Sequence, residues 1–281
     1  MKLTDNIHLL KIDFEIPLKS KKKIRRYVNA ILVFSDKITL IDTGVKGSEK
    51  FIFEYIKSQN RDYTEIDRII LSHSHPDHIG GARIIKDLTN CRIYADKSER
   101  NWIEDIETQY TERPVPGFYT LADRPVRIDD FLVDNQEIMA GKDLTIRIIR
   151  SPGHSKGSIN VLFREDRILF TADSIPLKND IPNYDNYFDL LDSLKRIKNN
   201  NEYDTLLTSW TPPLTDQAEI HNIIDEGEEY IEMIDSAVKE CYGFPVRSSE
   251  ESCRLTIEKL GLPPFFANPL SDRAFRSHLL K

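Results

Sequence analysis

Apolar residues in this chain gather into short runs that stop at polar turns. Ile69-Ile70-Leu71 is continuous and reads as a buried strand. Leu144 to Ile149 alternates apolar and polar positions and halts at Ser151-Pro152-Gly153-His154, while Lys37 to Ile41 ends at Asp42-Thr43-Gly44 and Arg167 to Ala172 ends at Asp173. The likeness of Asp36-Lys-Ile to Asp166-Arg-Ile hints at two related halves. After Pro213 the period changes. Ile220, Ile223, Ile224, Ile231, Ile234 and Val238 recur at helical spacing through an acidic stretch, Asp216 to Glu240, that Gly243 and Pro245 stop. Ser248-x-x-Glu251 reads as a capping box opening a second helix that ends near Gly261, and a third short helix follows from Ser271, with Phe275 and Leu279 on one face. These patterns divide the chain into a main α/β domain, residues 1–215, and a helical extension, residues 216–281, suited to covering the core or pairing subunits.

The strand ends carry the chemistry. His73-Ser74-His75-Pro76-Asp77-His78 places three of the seven histidines and a carboxylate directly after a strand. Neutral imidazole and carboxylate are ligands that Zn²⁺, Fe²⁺ and Mn²⁺ accept. In a turn leaving a strand, His73 and His75 can point one way while Asp77 and His78 pass the bend toward a second point, so two metal positions are open. Pro76 fixes that bend, and Gly80-Gly81 allows a close approach before the helix that begins at Ala82. His154 and Asp173 each have a blander reading, as a turn residue and a helix cap. Four strand-to-turn junctions bearing His or Asp are better explained by one shared site, because α/β sheets collect function at such ends.

Taken in order, Ile41-Asp42-Thr43-Gly44, His73-x-His75-x-Asp77-His78, Pro152-Gly153-His154 and Ala172-Asp173-Ser174 make the chain resemble the metallo-β-lactamase-fold hydrolases over about residues 5 to 215. The resemblance implies a four-layer αβ/βα sandwich with a metal site at one edge. It implies His73, His75 and His154 around a first metal, Asp77 and His78 on a second, Asp173 bridging both, and Asp42 as an anchor behind the ligands. It implies zinc, one or two ions, with iron or manganese as alternatives. The family's last histidine follows a further strand, whereas here Tyr203 to Ser209 leads to Trp210-Thr211-Pro212-Pro213. An indole N–H only donates. Trp210 thus stands at the sixth-ligand position and narrows the site, leaving Asp77, His78 and Asp173 for the second metal. His221 and His278 are remote replacements, each read first as a surface or packing residue.

The implied activity is hydrolysis of an ester, thioester or lactone by a metal-bound hydroxide, with Asp77 relaying a proton and Asp173 orienting the nucleophile. Two other classes stay open: a mononuclear iron dioxygenase of the persulfide dioxygenase type, and a metal-binding protein without catalysis in which Trp210 fills the cleft.

Composition narrows the partners. A net charge of −7 argues against nucleic acid, and no apolar run approaches a membrane span. The start, Met1 to Asn6, lacks the apolar core of a signal peptide, and Cys91, Cys241 and Cys253 are odd in number without metal spacing, so reduced thiols in a cytoplasm are expected. One local exception to the charge is Lys19 to Arg26, with six cations in eight residues. Read as a hairpin tip between two strands, it would attract a small anionic substrate. Ser98 to Glu137, with Trp102, Tyr110, Phe118, Tyr119 and Phe131 among prolines, reads as an irregular excursion whose aromatics line a pocket or pack a long loop. A homodimer through the helical extension is also open.

Overall fold

Alternation along the strands divides their side chains among three apolar cores, and the cores set the layers. The computed structural model describes residues 1–17, 23–243 and 248–279. One sheet runs β1 (Ile7–Pro17), β2 (Lys23–Phe34), β3 (Ile38–Ile41), β4 (Ile66–Ile70), β5 (Arg92–Asp96) and β6 (Asp130–Leu132); the other contains β7 (Glu137–Gly141), β8 (Leu144–Arg150), β9 (Ile159–Phe163), β10 (Ile168–Phe170) and β11 (Thr205–Leu207), in reverse spatial order. Ile31, Val33, Ile41 and Ile70 of the first sheet meet Ile146, Ile148, Val161, Phe163 and Phe170 of the second in a central core. The next residues along, Leu32, Leu40 and Ile69, face outward toward Ile52, Ile56 and Ile85. These belong to α1 (Glu49–Ser58) and α3 (Ala82–Thr89), which α2 (Pro76–Ile79) precedes. On the far side Leu162, Leu169 and Leu206 face the helices that follow β10. The result is the four-layer αβ/βα sandwich that the motifs imply.

Each sheet holds the same unit. β1 to β3 form an antiparallel meander and β4 then adds in parallel; β8 to β10 repeat the meander and β11 adds in parallel. α1 lies between the last two strands of the first unit, and α7 (Tyr187–Lys198) between those of the second. Parallel pairing needs such a crossover.

Two expectations are corrected. Lys23, Arg25 and Arg26 lie within β2 rather than at a hairpin tip, because the register continues from Pro17↔Lys23. Lys23 and Arg25 pair with Glu15, and Arg26 reaches across to Asp180. Lys19, Lys21 and Lys22 lie outside the described residues. The segment from Ser98 to Glu137 is also more regular than its prolines suggest, forming α4 (Arg100–Glu104), α5 (Ile106–Glu112), α6 (Phe118–Leu121) and β6. Trp102 and Phe118 are buried there, Tyr110, Tyr119 and Phe131 are exposed, and none of the five lines the cavity beside the candidate site.

The helical extension forms α8 (Gln217–Cys241), α9 (Ser249–Lys259) and α10 (Pro269–Ser277). Asp216 caps α8 and Ser248 caps α9 by accepting from the Glu251 N–H. Asn268, not Ser271, caps the third helix, and Leu279 beyond it is exposed while Phe275 is buried. Pro245 lies outside the described residues. Ile231, Ile234, Val238, Ile257 and Phe275 share one core with Leu190 and Leu194 of α7 and with the second sheet. No helix among the described residues is long and apolar enough to cross a membrane.

Phe275→Ala should therefore cost about 3–5 kcal/mol. It should lower the urea midpoint of the whole molecule, with helix circular dichroism and the fluorescence of Trp102 and Trp210 moving together. Separate midpoints for the two signals would contradict a shared core.

Candidate metal centre

The site begins with Asp42, which is fully buried at the end of β3 with φ of 59°. A left-handed non-glycine residue is uncommon, and here the turn aims the carboxylate beneath the loop after β4. It accepts from the Ser72 N–H and hydroxyl and from His78 Nδ1, each at 2.7 Å. The Ser72 hydroxyl also lies 2.9 Å from His73 Nδ1. Asp42 thereby fixes His78 with Nε2 free, and through Ser72 it orients His73. Thr43 locks the next turn by donating its N–H and hydroxyl to the His78 carbonyl at 2.8 Å. Gly80 is needed at the turn because a Cβ there would fall 2.3 Å from the Leu121 carbonyl oxygen.

His154 comes from the loop between β8 and β9. Gly153 before it has φ of +127°, and a Cβ there would lie 2.3 Å from the backbone of Leu190 in α7, so only glycine lets helix and loop meet. Asp173 follows β10 after Ala172, whose φ is 47°. The Ala172 carbonyl accepts from Ser209, and Ser209 in turn accepts from the Asn29 N–H of β2, so both sheets brace this turn.

These turns converge. One ligand atom each from His73, His75, His154 and Asp173 lie within 4.8 Å of one another. His154 Nε2 is 2.8 Å from His75 Nδ1 and 3.4 Å from Asp173 Oδ2. His78 stands alongside, its ring centroid 4.1 Å from that of His73 and its Nε2 3.3 Å from Asp173 Oδ1. Asp77 is half-buried beside them and falls, with His78, outside the four-residue group. Trp210 presents its ring edge-on to His78, centroids 6.5 Å apart, and Arg26 stacks over the indole at 4.6 Å. A cavity of about 70 Å³ opens here between Arg26, His154, Asp173, Asn183 and Trp210. His221 is exposed and bonded to its own helix, and His278 stacks on Tyr187, so neither approaches the cluster.

Burial, helped by neighbouring cations, holds the His73 and His75 imidazoles well below their ordinary pKa and His154 at about 4. All three are therefore neutral at pH 7 and able to ligate. Burial opposes charge on His78 as well, but Asp173 and Asp42 outweigh it and raise its pKa well above the ordinary value. Asp173, despite burial, is held well below the carboxylate range by His78 and His154. Burial and the Asp173 charge raise Asp77.

His73 Nε2, His75 Nε2, His78 Nε2 and Asp173 Oδ1 are buried without a hydrogen-bond partner. Such atoms are costly in a protein interior. Imidazole and carboxylate donors converging with unused lone pairs fit a divalent ion, which would satisfy them together.

Three contributors, Glu99, Gln109 and Arg113, carry no local signal in the sequence, and a fourth, Arg26, reads there only as part of a cationic run. Glu99 and Gln109 are buried and grip the ligand loops from behind. Arg113 is buried with Asp185, Asp77 and Asp173 nearby, and burial lowers its pKa to about 10. Arg26 reaches the cavity from β2.

Fold and site together define a metallo-β-lactamase fold that carries a histidine- and aspartate-rich candidate metal site. The chain belongs to the Metallo-beta-lactamase superfamily, whose family model matches residues 24–214. It is 28% identical over 142 residues to a probable metallo-hydrolase of Methanocaldococcus jannaschii, covering 50% of this chain and 53% of that protein. It is 27% identical over 120 residues to a hydroxyacylglutathione hydrolase of Rhodopseudomonas palustris, covering 43% and 38%. The matched region spans about half or less of those two relatives. A metallo-beta-lactamase family protein of Thermus thermophilus superposes with a TM-score of 0.77 at 18% identity, covering 99% of this chain and 94% of that one.

His75→Ala removes a nitrogen from the centre of the group and should lose most of the bound metal. Elemental analysis showing unchanged stoichiometry would refute the assignment of His75 as a ligand.

Proposed function

We propose that the protein is a metal-dependent hydrolase acting on the carbonyl of an ester, thioester or lactone, with a thioester favoured by the likeness to the hydroxyacylglutathione hydrolase. The observation that carries this reading is the convergence of three neutral imidazoles and Asp173, with His73 Nε2, His75 Nε2 and Asp173 Oδ1 left without a hydrogen-bond partner. Held there, a divalent ion such as zinc supplies a water with its pKa lowered to about 7 and a Lewis acid for the carbonyl oxygen. Asp173, kept ionised by its histidine neighbours, would help hold the ion and would accept a hydrogen bond from a water beside it. Asp77, with its pKa raised by burial, is the carboxylate suited to take up a proton. Three imidazoles at one point exceed the two-histidine, one-carboxylate face that iron oxygenases use, which favours hydrolysis over O₂ chemistry. The cavity beside Asp173 favours turnover over a cleft filled by Trp210.

Arg26 supports an anionic substrate, although its two terminal guanidinium nitrogens donate to Asp180 at 2.9 and 3.2 Å. Trp210 adds no ligand beside His78, so the second position keeps Asp77, His78 and Asp173 and binds more weakly than the first.

The direct test is a panel of thioesters, esters and lactones with metal-loaded protein, run beside an O₂-uptake assay. Hydrolysis of at least one class, abolished by a chelator and restored by metal, is expected; O₂ consumption with thiol substrates and no hydrolysis would overturn the reading.

Trp210→His should raise occupancy at the second position and shift substrate preference as the pocket widens. Two fully occupied metals in the unaltered protein would sink the weakened-site idea.

A further inference from the structure

Glu99 lies in the turn after β5, only 2% exposed, and touches no ring nitrogen of the histidine cluster. Its Oε2 accepts from the Ser74 N–H at 3.0 Å. Its Oε1 accepts from the Ser155 hydroxyl at 2.6 Å and the Gly157 N–H at 2.5 Å. Ser74 separates His73 from His75, and Ser155 follows His154, so one carboxylate spans the two loops that bring three imidazoles together. Gln109 of α5, fully buried, completes the grip by donating to the Ser74 carbonyl at 2.6 Å. The two peptide groups that flank the Ser74 Cα are thus each held, one through its N–H and the other through its carbonyl. Asp96, at the end of β5, also presses on this loop, since a Cβ at Gly157 would lie 2.7 Å from its Oδ1.

The loops leave different sheets, one from β4 and the other from β8. A metal tolerates ligand distances only within about 0.2 Å, so relative slippage of the loops would spoil the site while leaving each loop folded. Direct backbone links between them are sparse; the Ile159 N–H donating to the Ser72 carbonyl at 2.9 Å is one. Glu99, with three donors drawn from both loops, supplies the tie that the backbone lacks.

We propose that Glu99, assisted by Gln109, is a positioning residue that locks the His73–His75 loop and the His154 loop into one metal-binding geometry. The proposal rests on the assignment of these histidines as ligands. Carboxylates behind metal ligands typically govern about 10- to 100-fold in affinity.

The test measures zinc affinity of the full chain by competition with a chelator, and the visible spectrum of the Co²⁺-loaded protein. Wild type, Glu99→Gln, Ser155→Ala and His75→Ala are compared, with melting of the metal-stripped proteins as a check on folding. Glu99→Gln should weaken zinc about 10- to 100-fold and alter the Co²⁺ bands. Ser155→Ala removes one donor and leaves the carboxylate with two, so it keeps the fold and should weaken zinc by at least about threefold. It decides the matter should Glu99→Gln fail to fold. A loss of melting temperature alone, with zinc affinity and the Co²⁺ spectrum unchanged, would mark Glu99 as merely structural and overturn the proposal. Failure of wild type to bind zinc more tightly than His75→Ala would instead overturn the ligand assignment, and the positioning role with it.

Discussion

Burial of several imidazole nitrogens and a carboxylate at one point, with lone pairs unpaired, is the constraint the rest of this structure serves. Each unsatisfied buried polar atom costs about 1–3 kcal/mol, so the cluster persists only because rigid elements force it together. Asp42 holds His78 and Ser72 from beneath, Glu99 and Gln109 hold the loop backbones from behind, and Gly153 lets α7 close over the His154 turn. None of these residues belongs to the four-residue metal group. They hold His73, His75 and His154 aimed inward, where burial keeps these imidazoles neutral, the state in which they ligate.

The repeated sheet unit explains where the ligands come from. In the first half the parallel strand β4 ends at Ile70 and the chain reaches His73 three residues on; in the second, β11 ends at Leu207 and reaches Trp210 three residues on. The same topology therefore places His73 in the metal group and Trp210 on the wall of the neighbouring cavity. Tyr27 and Asn29 of β2 pin the Trp210 turn through its carbonyls, so its placement beside His78 is built into the sheet.

Much of this was legible in the sequence, because strand runs and ligand-rich turns are local signals. His73, His75, His154 and Asp173 were found as residues following short apolar runs, and they are the four that converge. The α8 helix was read from its isoleucine spacing and Asp216. Residues whose role depends on distant partners left no such trace. Glu99, Gln109 and Arg113 sit in or beside short helical turns of ordinary composition and matter only because the fold places them against loops 25 to 70 residues away in sequence. Arg26 looked like part of a cationic tip, since charge counting cannot tell that strand pairing continues through it and turns its guanidinium toward Asp180 and Trp210. The aromatics between Ser98 and Glu137 misled in the opposite sense, because helix packing and solvent claim them instead of the cavity.

The central claim is that His73, His75 and His154, with Asp173, hold a metal ion. Anomalous diffraction from zinc-loaded crystals, collected on both sides of the zinc edge, tests it most directly. The account predicts a peak within about 2.0–2.2 Å of a nitrogen from each of the three histidines, with Asp173 adjoining it. A peak elsewhere on the protein, with these four side chains unligated, would contradict it.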